Sequence, residues 1–204
     1  MNCKSCGAAM ELYPARGYFF CRYCGSFHFP ETTADEGIRL LGDTAASLEC
    51  PVCGRALAAA VLDERHAVQY CRHCRGVLLK RSAFAEIVQV RRAWATGPPG
   101  PPVPLEREEL ERRVACPNCR TLMQVHPYYG PGNVVMDSCE QCDAVWLDFG
   151  ELTQIVAAPG SDRGSRQLPA RSNVSSLASD NNAYRALHGS GRVDLLDLLG
   201  NLFT

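Results

Sequence analysis

Six Cys-x-x-Cys pairs account for all twelve cysteines of this 204-residue chain: Cys3/Cys6, Cys21/Cys24, Cys50/Cys53, Cys71/Cys74, Cys116/Cys119 and Cys139/Cys142. Two residues between cysteines let both sulfurs of a tight turn point at one ion. Two such turns joined by a strand pair complete a tetrahedral four-thiolate site, the geometry Zn²⁺ prefers. Taken in order, the pairs make three modules, with spacers of 14 residues (7–20), 17 (54–70) and 19 (120–138) between the inner cysteines. The expectation is three Zn²⁺ per chain, four cysteines each. Structural disulfides fit poorly, because every pair has a partner pair in a repeat and MNCKSCGAAM has no charged leader before an apolar stretch. A thioredoxin-like motif would sit alone beside a βαβ unit, which the pattern lacks. Rubredoxin-like iron uses similar turns, and spacing does not separate it from zinc.

The second and third modules repeat beyond their cysteines. CPVCGRAL aligns with CPNCRTLM, and CRHCRGVLLKRSAFAEIV with CEQCDAVWLDFGELTQIV. The first module, CKSCGAAM then CRYCGSFHFP, shares the cysteine frame but has no apolar segment after it. Short β-branched or aromatic runs precede each second pair (18–20, 67–70 and 134–136) and read as strands. After the second pair the period turns helical, through Phe84, Ile87 and Val88 in one repeat and Leu152, Ile155 and Val156 in the other. Asp148-Phe149-Gly150-Glu151 fits a capping box, and Ser82 is the expected cap of the earlier helix. Gly7, Gly25 and Gly54 suit the positive φ that follows a metal knuckle, whereas Arg75 and Arg120 fit it less well. Trp146 and Leu147 are expected to pack helix against ribbon.

The fold class that follows is a set of small metal-stabilised domains: three zinc ribbons of short antiparallel strands, the second and third each followed by an α-helix. The expected boundaries are a ribbon at 1–32, ribbon plus helix at 48–95, a Pro/Gly linker at 96–104, and helix, ribbon and helix at 105–157. A disordered linker (158–192) and a short amphipathic helix (193–203) complete the chain. A unit of about 40 residues supplies only a few kcal/mol from its own core, whereas a structural zinc contributes on the order of 10–16 kcal/mol, so metal and fold are one event.

At CPNC…DSCEQCDAVWLDFGEL the third module resembles the transcription-factor-IIB-type zinc-ribbon family of bacterial and archaeal proteins. Cys116, Pro117 and Cys119 take the first knuckle, Asp137, Cys139 and Cys142 the second, and Trp146, Leu147, Asp148, Gly150, Glu151 and Leu152 the signature after it. The second module is similar to a degenerate copy, with Leu78, Lys80, Ser82 and Ala83 where Trp, Asp, Gly and Glu would stand. The resemblance implies zinc binding. The family's name comes from the ribbon of a transcription factor that contacts RNA polymerase, and fold likeness does not carry that function.

Nothing in the sequence assembles a catalytic constellation, because an enzyme zinc keeps an open position and each module offers four cysteines. No uninterrupted apolar run approaches the roughly 18 residues a membrane span needs, and no small-molecule substrate is evident. The leading expectation is a cytoplasmic, non-enzymatic adaptor for an unidentified protein partner, around transcription. Its candidate contacts are the loop aromatics Tyr128 and Tyr129 and the tail residues Leu195, Leu196, Leu198, Leu199, Leu202 and Phe203. The alternative is a nucleic-acid-binding regulator. Residues 50–95 carry a net +5, against −5 for 105–156, and Arg65, Arg72, Arg75, Lys80, Arg81, Arg91 and Arg92 are its candidate contacts. A third reading is a zinc or thiol redox sensor. Replacing twelve thiol protons by three Zn²⁺ takes the formal charge from −1 to −7, which counts against a general nucleic-acid binder.

Overall fold

The computed structural model describes residues 1–14, 17–30, 37–41, 48–101, 104–105, 107–128 and 133–165. Tyr129, the tail leucines, Phe203 and the expected helix at 193–203 lie outside the described residues, as does most of the 158–192 linker.

In the first module β1 (Glu11–Tyr13), β2 (Tyr18–Phe20) and β3 (Phe27–His28) form a three-stranded antiparallel sheet. So few residues leave no room for an aliphatic core, and rings take its place. Tyr18 is buried with Phe27 and Phe29 edge-on to it at 5.2 and 5.7 Å, and Phe20 meets Phe27 at 4.9 Å.

The second module contributes β4 (Ile38–Leu40), β5 (Ala58–Leu62), β6 (His66–Tyr70), β7 (Val77–Lys80) and α1 (Arg81–Trp94). The third contributes α2 (Arg107–Glu111), β8 (Gln124–Pro127), β9 (Val135–Cys139), β10 (Ala144–Leu147) and α3 (Glu151–Ala157). All seven of these strands lie in one sheet, ordered β4-β5-β6-β7-β10-β9-β8. The boundary drawn from the sequence at 96–104 is therefore crossed by continuous pairing. In the β7–β10 ladder, Leu78 stands opposite Trp146, the residue that occupies the same place in the other repeat. Equivalent strands meeting antiparallel at equivalent residues define a local two-fold axis, and α1 packs against α3 across it.

Strand periodicity then sorts the side chains onto two faces. Leu79, Val145 and Leu147 face the helices and pack with Phe84, Ile87, Val88, Leu152 and Ile155. Leu78, Ala144 and Trp146 face the other way, among Leu57, Val114, Met123 and the cysteines of both modules. Trp146 and Leu147 thus do not share the helix contact expected of them. As neighbours on one strand they point to opposite faces, and only Leu147 meets α3's core.

Trp146 is fully buried, and a Cβ built on Gly76 would lie 2.2 Å from its Cζ2. The repeat has Ala144 at Gly76's place, where no indole faces it. Gly76→Ala is expected to lower holo-protein stability by about 1–3 kcal/mol through overpacking. An unchanged urea midpoint would mean that the indole moves aside.

The helix starts differ from expectation. Glu151 reaches back as a capping box requires, its carboxylate accepting the Asp148 N–H at 2.8 Å, but Gly150 holds the cap position at φ 87° and the Asp148 carboxylate is used elsewhere. Ser82 lies inside α1. The Arg81 N–H instead donates to the Asp143 carbonyl of the other repeat at 3.0 Å.

Residues 158–165, assigned above to a disordered linker, are held by Arg92, whose side chain is 1% exposed. Its guanidinium donates to the carbonyls of Ile155 (2.6 Å) and Ala158 (2.9 Å) at the end of α3 and takes Asp162 bidentately at 2.5 and 2.7 Å. Gly100 of the linker is fastened there too, its N–H on the Ala157 carbonyl at 2.7 Å.

Candidate metal centres

Each module brings its four sulfurs within 4.8 Å of one another: Cys3, Cys6, Cys21 and Cys24; Cys50, Cys53, Cys71 and Cys74; Cys116, Cys119, Cys139 and Cys142. Pairs across the knuckles stand 3.5–3.6 Å apart, and all twelve cysteines are free. A disulfide needs about 2.05 Å. A tetrahedron with Zn–S bonds near 2.3 Å has edges of about 3.8 Å, so the clusters already have close to the dimensions of a zinc tetrathiolate. With four thiolates the coordination sphere is full, and each cluster is a structural zinc site.

The backbone sets this geometry. In five of the six knuckles the first cysteine's N–H donates to the carbonyl five residues on and its carbonyl accepts from the N–H four residues on, as in Cys3 N–H to Ala8 (2.8 Å) and Gly7 N–H to Cys3 (2.9 Å). The sixth, which begins at the end of β9, closes instead through Asp143 N–H on the Glu140 carbonyl at 3.3 Å. All six place the residue after the second cysteine at positive φ, glycine or not: Arg75 at 60°, Arg120 at 62° and Asp143 at 48° beside Gly7, Gly25 and Gly54. The reservation about the two arginines does not hold, because metal closure over-determines a strained residue. Without metal, the N–H groups of Cys6 and Ser5 hold the Cys3 thiol down at about 6, and the Thr121 hydroxyl and N–H do the same for Cys119. Donors aimed at sulfur favour the thiolate that binds metal.

A buried ionic cluster supports the third site. Arg112, just beyond α2, donates to Asp137 at 2.6 Å and also pairs with Asp148, which accepts the Trp146 indole N–H at 2.9 Å. Asp137 lies two residues before Cys139 and is 1% exposed. Burial disfavours the guanidinium's charge, yet the two carboxylates outweigh it and its pKa is raised. Spacing alone did not reveal this cluster. The signal was present as Asp137 and Asp148, two carboxylates flanking an apolar strand.

A second joint holds the first ribbon against the other two. Arg75 lies over the Phe29 ring at 4.2 Å and over Phe149 at 5.5 Å, and Phe29 meets Phe149 edge-on at 4.7 Å. His73 donates from Nε2 to the Gly25 carbonyl at 3.1 Å with its ring edge-on to Phe27. Sequence reasoning missed Phe29 and Phe149, whose only mark was an aromatic side chain in a turn.

The candidate nucleic-acid residues do not form one open face. Arg92 is buried, and Arg91 pairs bidentately with Asp63 at 2.7 and 2.8 Å. Arg65 faces Glu86 and Arg81 faces Asp143 at 3.2 and 3.3 Å, and Arg75 is stacked on rings. Arg72 is exposed and Lys80 half-buried, each with a partner of its own. Tyr128 is not presented at a loop tip. Its ring packs edge-on against Phe84 at 5.4 Å, and burial raises its phenol pKa.

Residues 49–90 and 115–158 each match the family described as transcription factor zinc-finger, a zinc ribbon of the transcription-factor-IIB type. The second and third modules are thus each similar to this family, and the first is a further four-cysteine cluster outside the matched residues. No curated protein and no solved structure matches the chain. Among the described residues no helix is long and apolar enough to cross a membrane.

Proposed function

We propose that this protein is a non-enzymatic, cytoplasmic zinc-ribbon adaptor that holds protein partners together, in transcription-associated assemblies. The observation that carries the reading is the completeness of the three tetrathiolate sites. Four cysteines per ion leave no coordination position for water or substrate, so the metals build surfaces and do not perform chemistry. Internal use of the arginines supports protein over nucleic acid as the partner. Side chains stacked on rings or paired with carboxylates add little phosphate attraction, and three zinc tetrathiolates add negative charge.

The test compares partners captured from cell extract by the full chain and by a chain lacking residues 193–204. Loss of a specific partner on deletion is the expected result and assigns the leucine-rich tail as its docking peptide. An identical partner set would remove the tail from the mechanism. Salt-dependent DNA or RNA binding abolished by charge reversal at Arg72 would replace the adaptor reading altogether.

A further inference from the structure

Between the first ribbon and α2 lies an open cleft of about 550 Å³. Tyr13, Phe20 and Phe27 form one wall, with Tyr13 and Phe20 edge-on at 6.4 Å and Phe20 and Phe27 at 4.9 Å. Glu108 and Glu109, in the first turn of α2, form the other. Cys24 of the first site and Cys53 of the second reach the rim. Each belongs to a tetrathiolate that carries a net charge of about −2 once Zn²⁺ is bound. Among the described residues that line the cleft the basic side chains are Arg55 and Arg112, and Arg112 is already engaged by Asp137 and Asp148.

We propose that this cleft is a docking site for an arginine side chain on a basic peptide segment of a partner protein. Aromatic faces with carboxylates opposite are the chemistry that recognises a guanidinium, through stacking and charge-assisted hydrogen bonds together. The molecule uses the same chemistry internally, with Arg75 laid over Phe29 a short distance along the same ribbon. Charge complementarity fixes the sign of the occupant. The cleft opens beside Phe27, which packs on the cluster that contains the cysteines.

The inference deepens the adaptor reading by naming a partner class, and its test is independent of the tail deletion. A fluorescent peptide of four Gly-Arg repeats is titrated against the full zinc-loaded chain and read by anisotropy. Expected results are saturable binding, weakened about fivefold or more by Tyr13→Ala and by Glu108→Gln with Glu109→Gln, and unchanged by the remote Glu64→Gln. Three zinc ions retained in each variant establish that the ribbons are intact. No saturable binding, or equal binding by the cleft and control variants, would overturn the proposal. So would tighter peptide binding on Arg171→Glu with Arg185→Glu, which would assign the cleft to the chain's own tail. Any of these results leaves the outcome of the tail deletion standing.

Discussion

Stripping the metal with a strong chelator is expected to abolish strand and helix signals by circular dichroism, and elemental analysis of the purified protein to give three zinc ions per chain. A structural zinc contributes on the order of 10–16 kcal/mol of apparent binding energy, as large as the whole stability of an ordinary domain. Order of loss is a sharper expectation. Cys6 and Cys24 of the first site are exposed, whereas no cysteine of the other two sites is, and both of those sites join one apolar cluster around Trp146. Cys6→Ser should therefore leave two zinc ions and the helical signal, while Cys139→Ser should cost most of the ordered structure. Fewer than three zinc ions in the intact protein, or a folded chelated chain, would contradict the account.

Arg112→Ala is expected to cost about 3–5 kcal/mol, because it removes the cation from two buried carboxylates and leaves their charge uncompensated. Asp137 is 1% exposed, and Asp148 is fixed by the Trp146 indole, so neither can turn to water without disturbing the strand that carries it. Arg112→Lys should recover only part of the loss, since an ammonium lacks the fork that reaches both carboxylates. The check is the urea midpoint of variants that retain three zinc ions. A loss below about 1 kcal/mol, the range of surface pairs, would mean that water already compensates the carboxylates.

The cysteines made the ribbons legible in the sequence because a metal site is written in spacing, two residues between ligands and a strand pair between knuckles. The helices were legible because Phe84, Ile87 and Val88, and Leu152 and Ile155, repeat at helical period and do face one core. Pairing between the repeats was not legible. Val77-Leu78-Leu79 and Val145-Trp146-Leu147 are apolar on both faces, and such a run marks a doubly covered strand without saying what lies beside it. Arginine roles were hidden for a similar reason. A net charge of +5 over residues 50–95 counts side chains but does not show that Arg92 closes a helix end or that Arg75 covers two rings.

One sheet edge shows a finer signal. In β5, Val61 sits between two ladder bonds to the β4 segment, Leu41 N–H on Ala59 and Asp63 N–H on Gly37. The repeat puts Pro127 in its place, where there is no N–H to offer, and among the described residues β8 is the end of the sheet. Proline at an outward-facing position blunts an edge against further pairing.

The axis between Leu78 and Trp146 bears on what the two halves are free to become. Equivalent strands meeting face to face is the contact two identical ribbons would make as a symmetric dimer, and there every change appears twice. Joined in one chain, the halves can differ. A single indole crosses the axis into the space that Gly76 leaves, whereas the equivalent places across the axis hold Leu78 and Ala144. One half is basic and the other acidic, so the seam joins opposite charges where identical copies would repel. Covalent linkage has turned a self-complementary contact into a lock and its key.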